Sequence, residues 1–502
     1  MLSHIDPIKF SLNTAPGKEG ALMVGLHDGQ KIERHSLCKN LDQEDKSYLT
    51  HFAANLPLKN RSHAILLPGG RRVIILGLPP KKDFHVRKSL VAIRQIIQLA
   101  RRERLESIIV AAEDYAPLSG WSGNELLERI AEQAELANFE YNLYKEKPKE
   151  KDDAPVFVKK IDIISRTKGK RAEEAIKTGQ IIGEAINSAR SLANTPGGEM
   201  TPRKLAAAAE RIGELSGVKV KVLDDQEIKK LGMGGVIGVS QGSSERPRFI
   251  ILEYMKGGRK EKPTVLVGKG VTFDSGGLSL KPSKYMYDPC MHMDMTGGAV
   301  VMNVVGAMAR LKMKKNVVAL IPAVENMPSG SSYRPGDLLK TMSGKTIEVA
   351  NTDAEGRVIL SDALTYAQKF YSPKLVIDVA TLTGAADVAV GPRFSAVLSP
   401  DHALAEKLRV LSEKIGDNVW PLPLWEEYEA DIKAPFGDVL NVGKGNAGGV
   451  ITAAAFLWQF IKETPWAHLD IASRMTAGED DFLAKGSTGA GTSLLLHFLR
   501  KF

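Results

Sequence analysis

The stretch NTDAEGRVILSDALTYA, residues 351–367, sets Asp353, Glu355 and Arg357 two apart at the mouth of an apolar, helix-like run. Other stretches also gather acids and lysines. VLVGKGVTFDSGGLSLKP (265–282) leads from an apolar strand into Lys269, Asp274 and Lys281, among glycines that let a backbone approach a ligand closely. MHMDMTGGAVVMNVVGAMA (291–309) places Asp294 in a Met-rich setting before a Gly pair, and LVIDVATLTGA (375–385) reads as a strand ending in a Thr/Gly turn. A buried acid is costly unless it is paired or bound to metal, and these acids are too many for one arginine. Oxygen donors without a Cys or His cluster favour Mn2+ or Mg2+ over thiolate zinc, although carboxylates also bind Zn2+. A bridging carboxylate pair suits two ions about 3.5–4 Å apart. Taken singly, each acid also reads as a helix cap or a surface ion-pair partner, since acids favour a helix N-terminus.

The elements that must position these residues are legible as alternating strands and helices. HAILLPGG and RRVIILGLP are short apolar runs closed by Pro or Gly, LVAIRQIIQLARRE has helical spacing, and ESIIVAAED is a buried strand pattern. Strand, helix, strand in that order predicts a parallel sheet. The expected fold class is α/β, with two domains, each a mostly parallel or mixed sheet flanked by helices. Residues 1–165 form the N-terminal α/β domain in this reading, 166–195 a linker helix, and 196–502 the larger catalytic domain. VKVKVLD, RFIILEY, PTVLVGKG, NVVALIPAVE and KLVIDVATLTG supply strands of the second domain. YNLYKEKPKEKDDAPVF (141–157) reads as a loop between edge strands or the start of a linker. In open α/β sheets ligands bind outside the carboxyl ends of strands, which is where the acids and lysines fall.

The 502 residues are 43% hydrophobic and 25% charged, as in a soluble globular protein. Two cysteines, Cys38 and Cys290, exclude a disulfide scaffold; both read as buried small residues, and a reducing cytoplasm is the expected location. No secretory leader and no apolar run of membrane-spanning length is visible. The net charge of +9 permits binding to nucleic acid, but the cations are dispersed among acids; QLARRERLE (98–106) reads as a solvated helix face and RTKGKR (166–171) as a connector.

NTDAEGRVILSDAL resembles the signature of the leucine aminopeptidases, also called cytosol aminopeptidases (peptidase family M17). VGKGVTFDSGGLSLKP resembles the first metal-binding stretch of that family, and ATLTGA and WAHLDIA fit its pattern. The resemblance is strong over about residues 160–502; the N-terminal part matches only in position and general pattern. It implies a metal-dependent exopeptidase that releases N-terminal Leu and similar apolar residues, with two divalent ions, Mn2+ or Zn2+, per subunit. By position, Asp274 and Glu355 would bridge both ions, Asp353 would bind the more exchangeable one, and Lys269 and Asp294 would complete the tighter site. Lys269 can ligate only as a free amine, which demands a depressed pKa. Lys281 would polarise the substrate carbonyl and stabilise the gem-diolate, and Arg357 would hold a bicarbonate ion as general base. Met291, Thr381, Gly384, Ala472 and Met475 would line the side-chain pocket. The resemblance further implies a homohexamer, a dimer of trimers, and some bacterial relatives also bind DNA. A two-metal phosphatase or nuclease would share the carboxylates but leave Lys269 and NTDAEGR unexplained. The segment KPSKYMYDPCMHMD is longer than the family pattern, which offers Asp288 as an alternative to Asp294 and His292 as an added ligand; DMTGGAV favours Asp294.

Overall fold

The computed structural model describes residues 5–54, 61–146, 154–288, 290–445, 447–461 and 463–502. A six-stranded sheet is built from β1 (Lys9–Asn13), β2 (Ala21–His27), β3 (Ser62–Leu66), β4 (Arg72–Leu78), β5 (Ser107–Ala111) and β6 (Lys160–Ile164), in the order β1-β6-β5-β2-β4-β3. All neighbours are parallel except β3, which turns back as a hairpin on β4. Side chains of β2 alternate between two cores, as the strand period requires. Met23 packs with Ile93, Ile96, Leu127 and Ile130 of helices α2 (Val86–Arg102) and α3 (Gly123–Ala137). Leu22, Val24 and Leu26 pack on the other face with Leu37 and with Leu49 of α1 (Gln43–Ala54). Covered on both faces, β2 is buried along its whole length, which is why ALMVGLH lacks polar alternation.

Helix α4 (Lys170–Asn194) packs against α3 on one side and against the helix Thr296–Arg310 on the other. Gly179 permits the close approach: a Cβ there would stand 2.0 Å from the Glu128 carbonyl oxygen. Near the end of α4, Arg190 is fully buried. It donates to the carbonyls of Leu136 (2.9 Å), Ser487 (2.9 Å) and Ala484 (3.2 Å), and lies 4.2 Å over the Phe139 ring.

The second sheet has nine strands. Its members are β7 (Lys219–Leu223), β8 (Arg248–Met255), β9 (Thr264–Gly268), β10 (Gly270–Asp274), β11 (Asn316–Asn326), β14 (Leu375–Ala380), β15 (Ser395–Leu398), β16 (Val419–Pro421) and β18 (Trp466–Asp470). The short strands β12 (Leu338–Lys340), β13 (Thr346–Glu348) and β17 (Val439–Leu440) form a separate ribbon. The order is β16-β15-β18-β14-β9-β11-β8-β7, with β10 also paired to β11. The central run β18-β14-β9-β11 is parallel, so its carboxyl ends open on one side. Apolar side chains fill both faces of this sheet, giving the α/β class expected from the sequence.

Several local expectations are corrected. QLARRERLE is not one solvated face: α2 ends at Arg102, Arg104 has φ 57, and Arg101 pairs with Glu140 at 2.6 Å and stacks over Phe157. Cys38 is buried, but Cys290 is partly exposed and has φ 72. The middle of the loop read at 141–157, residues 147–153, lies outside the described residues. Among the described residues no helix is long and apolar enough to cross a membrane.

Candidate metal centre

Lys269 follows β9, Asp274 ends β10, and Thr381 follows β14, so three adjacent strand ends deliver side chains to one place. Asp294 arrives from the turn before the helix Thr296–Arg310, and Asp353, Glu355 and Arg357 from the start of the helix Glu355–Tyr371. Lys269 Nζ lies 2.7 Å from Asp294 Oδ2 and 2.8 Å from Glu355 Oε1, and donates to the Thr381 carbonyl at 3.0 Å. Lys281 Nζ lies 2.9 Å from Asp274 Oδ2 and also contacts Asp353. Carboxylate oxygens of Asp274, Asp353 and Glu355 lie within 4.8 Å of one another. Helix capping does not account for these acids, because the N-cap is Ala354 and no side chain caps it. Asp294 is the acid brought to Lys269; Asp288 is exposed at the end of a short helix, and His292 is outside the cluster of three carboxylates.

Four carboxylates face two lysines, leaving a formal excess of two negative charges in a mostly buried space. Burial and the neighbouring Glu355 push the Asp274 carboxyl above its ordinary range. Burial also raises Asp294 strongly, despite Lys269 beside it. Glu355 Oε2 is buried without a hydrogen-bond donor. Too little positive charge, an acceptor without a donor and a hard-oxygen set with one amine fit divalent cations. Burial opposes the charge of Lys269, but Asp294, Glu355 and Asp274 outweigh it and hold the ammonium well above its usual range. This is opposite to the depressed amine expected from the sequence, because the charges facing Lys269 here are carboxylates; cations among them would reverse the balance.

The supporting residues explain the precision of the cluster. A Cβ on Gly356 would stand 2.5 Å from Lys269 Cε, so the glycine between Glu355 and Arg357 makes room for the lysine. Asn326, at the end of β11, donates to Asp274 Oδ1 and to the Thr352 carbonyl, both at 2.9 Å, and Tyr333 donates to that carbonyl at 2.6 Å. Neither Asn326 nor Tyr333 stood out in the sequence; an amide closing the apolar run NVVALIPAVE was the available signal.

Arg357 donates through Nη1 to the Asn441 carbonyl at 3.0 Å, while its Nε–H is buried without an acceptor. Burial lowers its pKa to about 10, with Glu355 and Asp470 opposing that shift. Thr381 donates from Oγ1 to Asp294 Oδ1 at 2.7 Å. Gly384 opens the helix Gly384–Val390, which packs on the turn Ala472–Arg474, and Met475 N donates to the Ala472 carbonyl at 3.2 Å. A Cβ on Gly384 would meet nothing within 4 Å, so free space adjoins it. Met291 is partly exposed in the turn that leads to Asp294.

Comparison with known proteins identifies the family. The catalytic domain of the cytosol aminopeptidase family matches residues 187–496. A probable cytosol aminopeptidase of Geobacter sulfurreducens is 45% identical over 492 residues, 96% of each chain; one of Aromatoleum aromaticum is 41% identical over 496 residues, also 96% of each. Among solved structures, a mutant of tomato leucine aminopeptidase superposes with a TM-score of 0.86 at 29% identity, covering 100% of this chain and 98% of that one. The bottromycin maturation enzyme BotP in complex with Mn gives 0.82 at 30% identity, covering 96% and 99%. With a catalytic-domain match across more than half its length and relatives above 40% identity from end to end, the chain belongs to the cytosol aminopeptidase family, the metal-dependent aminopeptidases.

Proposed function

We propose that the chain removes N-terminal Leu and similar apolar residues from peptides at a centre of two divalent ions. The observation that carries this reading is the under-neutralised cluster of four carboxylates around Lys269 and Lys281, with Glu355 Oε2 lacking a donor. Lys269, Asp274, Asp294, Asp353 and Glu355 would hold the ions, with Asp274 and Glu355 as the ligands shared by both. The side chains of Asp274, Asp294 and Glu355 are at most 5% exposed, whereas Asp353 is 33% exposed, which supports a tighter inner site and a more exchangeable outer one. Mn2+ is the first candidate, given the manganese of BotP; Zn2+ is the second. When bound, such ions act as Lewis acids and lower the pKa of water.

The remaining work falls to side chains. Lys281, at the open edge of the cluster, donates to the substrate carbonyl and stabilises charge developing on its oxygen. Arg357 has a spare Nε–H in a buried position, suited to holding an anion such as bicarbonate, which would serve as general base. Met291, Thr381, Gly384, Ala472 and Met475 form the side-chain pocket, where two methionines adapt to Leu or Met. We place the enzyme in the cytoplasm as a homohexamer, a dimer of trimers; Tyr287, Val388 and Phe436, each at least 85% exposed, are apolar surface for such contacts. The test is metal-stripped protein assayed on Leu-amide and N-acetyl-Leu-amide with Mn2+, Zn2+, Co2+ or Mg2+ restored singly, beside calorimetric metal counting. Two ions per chain and cleavage of Leu-amide alone are expected. One ion per chain, or equal cleavage of both amides, overturns the reading.

A further inference from the structure

The N-terminal sheet has its own crevice, away from the catalytic cluster. From β2 the chain leaves toward α1 on one face of the sheet, and from the adjacent β5 it leaves toward α3 on the opposite face. Neighbouring strands whose connections part in this way form a topological switch point, and ligands of open α/β sheets bind at their carboxyl ends. A pocket of about 630 Å³ lies there, within the size range of small-molecule sites.

Its lining is strongly basic. Lys31 and Arg34 come from the segment after β2, Lys39 from the turn that follows, Lys81 from beyond β4 and Arg166 from beyond β6. The side chains of Lys31, Arg34, Lys39 and Arg166 have no acidic partner among the described residues. The two acids of the lining are already engaged by the protein. Asp114 accepts from Gly25 N at 3.0 Å and from the buried His35 Nε2 at 2.9 Å. Glu113 Oε1 accepts from Ser165 Oγ at 3.1 Å and from Arg166 N at 2.8 Å. Five cations against two committed acids leave a formal excess of three positive charges in a concavity. No Phe, Tyr or Trp lines it, and its two imidazoles, His27 and His35, are buried and already hydrogen-bonded to Pro79 and Asp114 rather than free to stack a nucleobase.

We propose that this crevice binds a small polyanion carrying two or more phosphate charges, recognised by charge and not by a base. The ligand is either inorganic pyrophosphate or the ester phosphates of a small sugar. Calorimetric titration of the metal-loaded, full-length protein with pyrophosphate and with a hexose bisphosphate tests this, beside Arg34→Ala/Arg166→Ala. Both arginines are on the surface, so the variant keeps its fold, and unchanged Leu-amide hydrolysis checks that. At least one probe should bind the wild type, and the variant should raise its Kd by about tenfold or more. Tighter binding of the bisphosphate identifies the ester as the ligand class; tighter binding of pyrophosphate identifies the free anion. Probe binding at the catalytic metals would be equal in both proteins, so equal Kd values overturn the proposal. It is also overturned if neither probe binds at millimolar concentration, or if duplex DNA binds instead and the same variant weakens it.

Discussion

The catalytic cluster and the N-terminal crevice stand at equivalent places, the carboxyl ends of parallel strands in two open sheets, and differ in sign, depth and support. In the cluster, acids exceed lysines and nearly every group is buried. In the crevice, lysines and arginines exceed acids and reach solvent from loops. Strand ends thus offer a location, and the charge placed there suits cations at one and anions at the other. Depth decides how exact the support must be. Gly356 and Asn326 fit the cluster to within a methyl group and a hydrogen bond, while the crevice tolerates long side chains on turns.

The sharpest break in this comparison is Glu355→Gln, which removes one negative charge from the most buried carboxylate of the cluster. It should lose metal and lower Leu-amide hydrolysis by more than about 100-fold, the scale that even outer-shell changes reach. Metal analysis of the purified variant checks this, and full metal content with normal turnover refutes it.

Gly356→Ala comes next. An added Cβ would collide with Lys269 Cε, so metal affinity should fall about 10- to 100-fold. Helix propensity alone predicts the opposite outcome, a gain of about 1 kcal/mol in stability with activity unchanged. Thermal melting and Mn2+ titration separate the two.

Asn326→Ala leaves Asp274 in place but removes a donor to its Oδ1. A loss of metal affinity nearer to 10-fold is expected, about the lower limit for outer-shell partners. No change in a Mn2+ titration would make Asn326 a structural residue of β11 alone.

A different kind of effect concerns the joint between the two units. Glu135 accepts from Ile8 N at 2.9 Å and Gln180 at 3.1 Å, and burial pushes its pKa up to about 8. A carboxyl whose folded pKa lies above its unfolded value stabilises the fold at low pH and loses that contribution as pH rises from about 4.5 to 8. Glu135→Gln should flatten the pH dependence of unfolding there by at most about 1.4 kcal/mol per pH unit. Identical slopes in denaturant melts of both proteins would discount the shift.

The two regions also differed in legibility. Lys269, Asp274, Asp294, Asp353 and Glu355 fall within three short stretches, each tied to a strand end or helix start, so local pattern was enough to group them. Asn326 and Gly356 escaped because their roles are fixed by neighbours distant in sequence: the Asp274 oxygen and the Lys269 stem. The crevice was invisible for a stronger form of the same reason. Its cations run from Lys31 to Arg166 without a motif, and only the strand order gathers them. Strand β2, which orders them, hides as a continuous apolar run because both its faces are covered.

Arg190 limits how this chain can be divided. Its guanidinium is shared between carbonyls of both units and a ring of the first, like a bolt passed through two plates. Cutting away the first 140 residues would remove the Leu136 carbonyl and the Phe139 ring, so the guanidinium would lose an acceptor and its stacking partner. A lost hydrogen bond to a charged group costs about 1.5–3 kcal/mol, a sizeable part of the stability of an ordinary domain. The catalytic half is therefore not a portable cassette, and trimming or grafting it without its N-terminal neighbour would call for the arginine to be redesigned first.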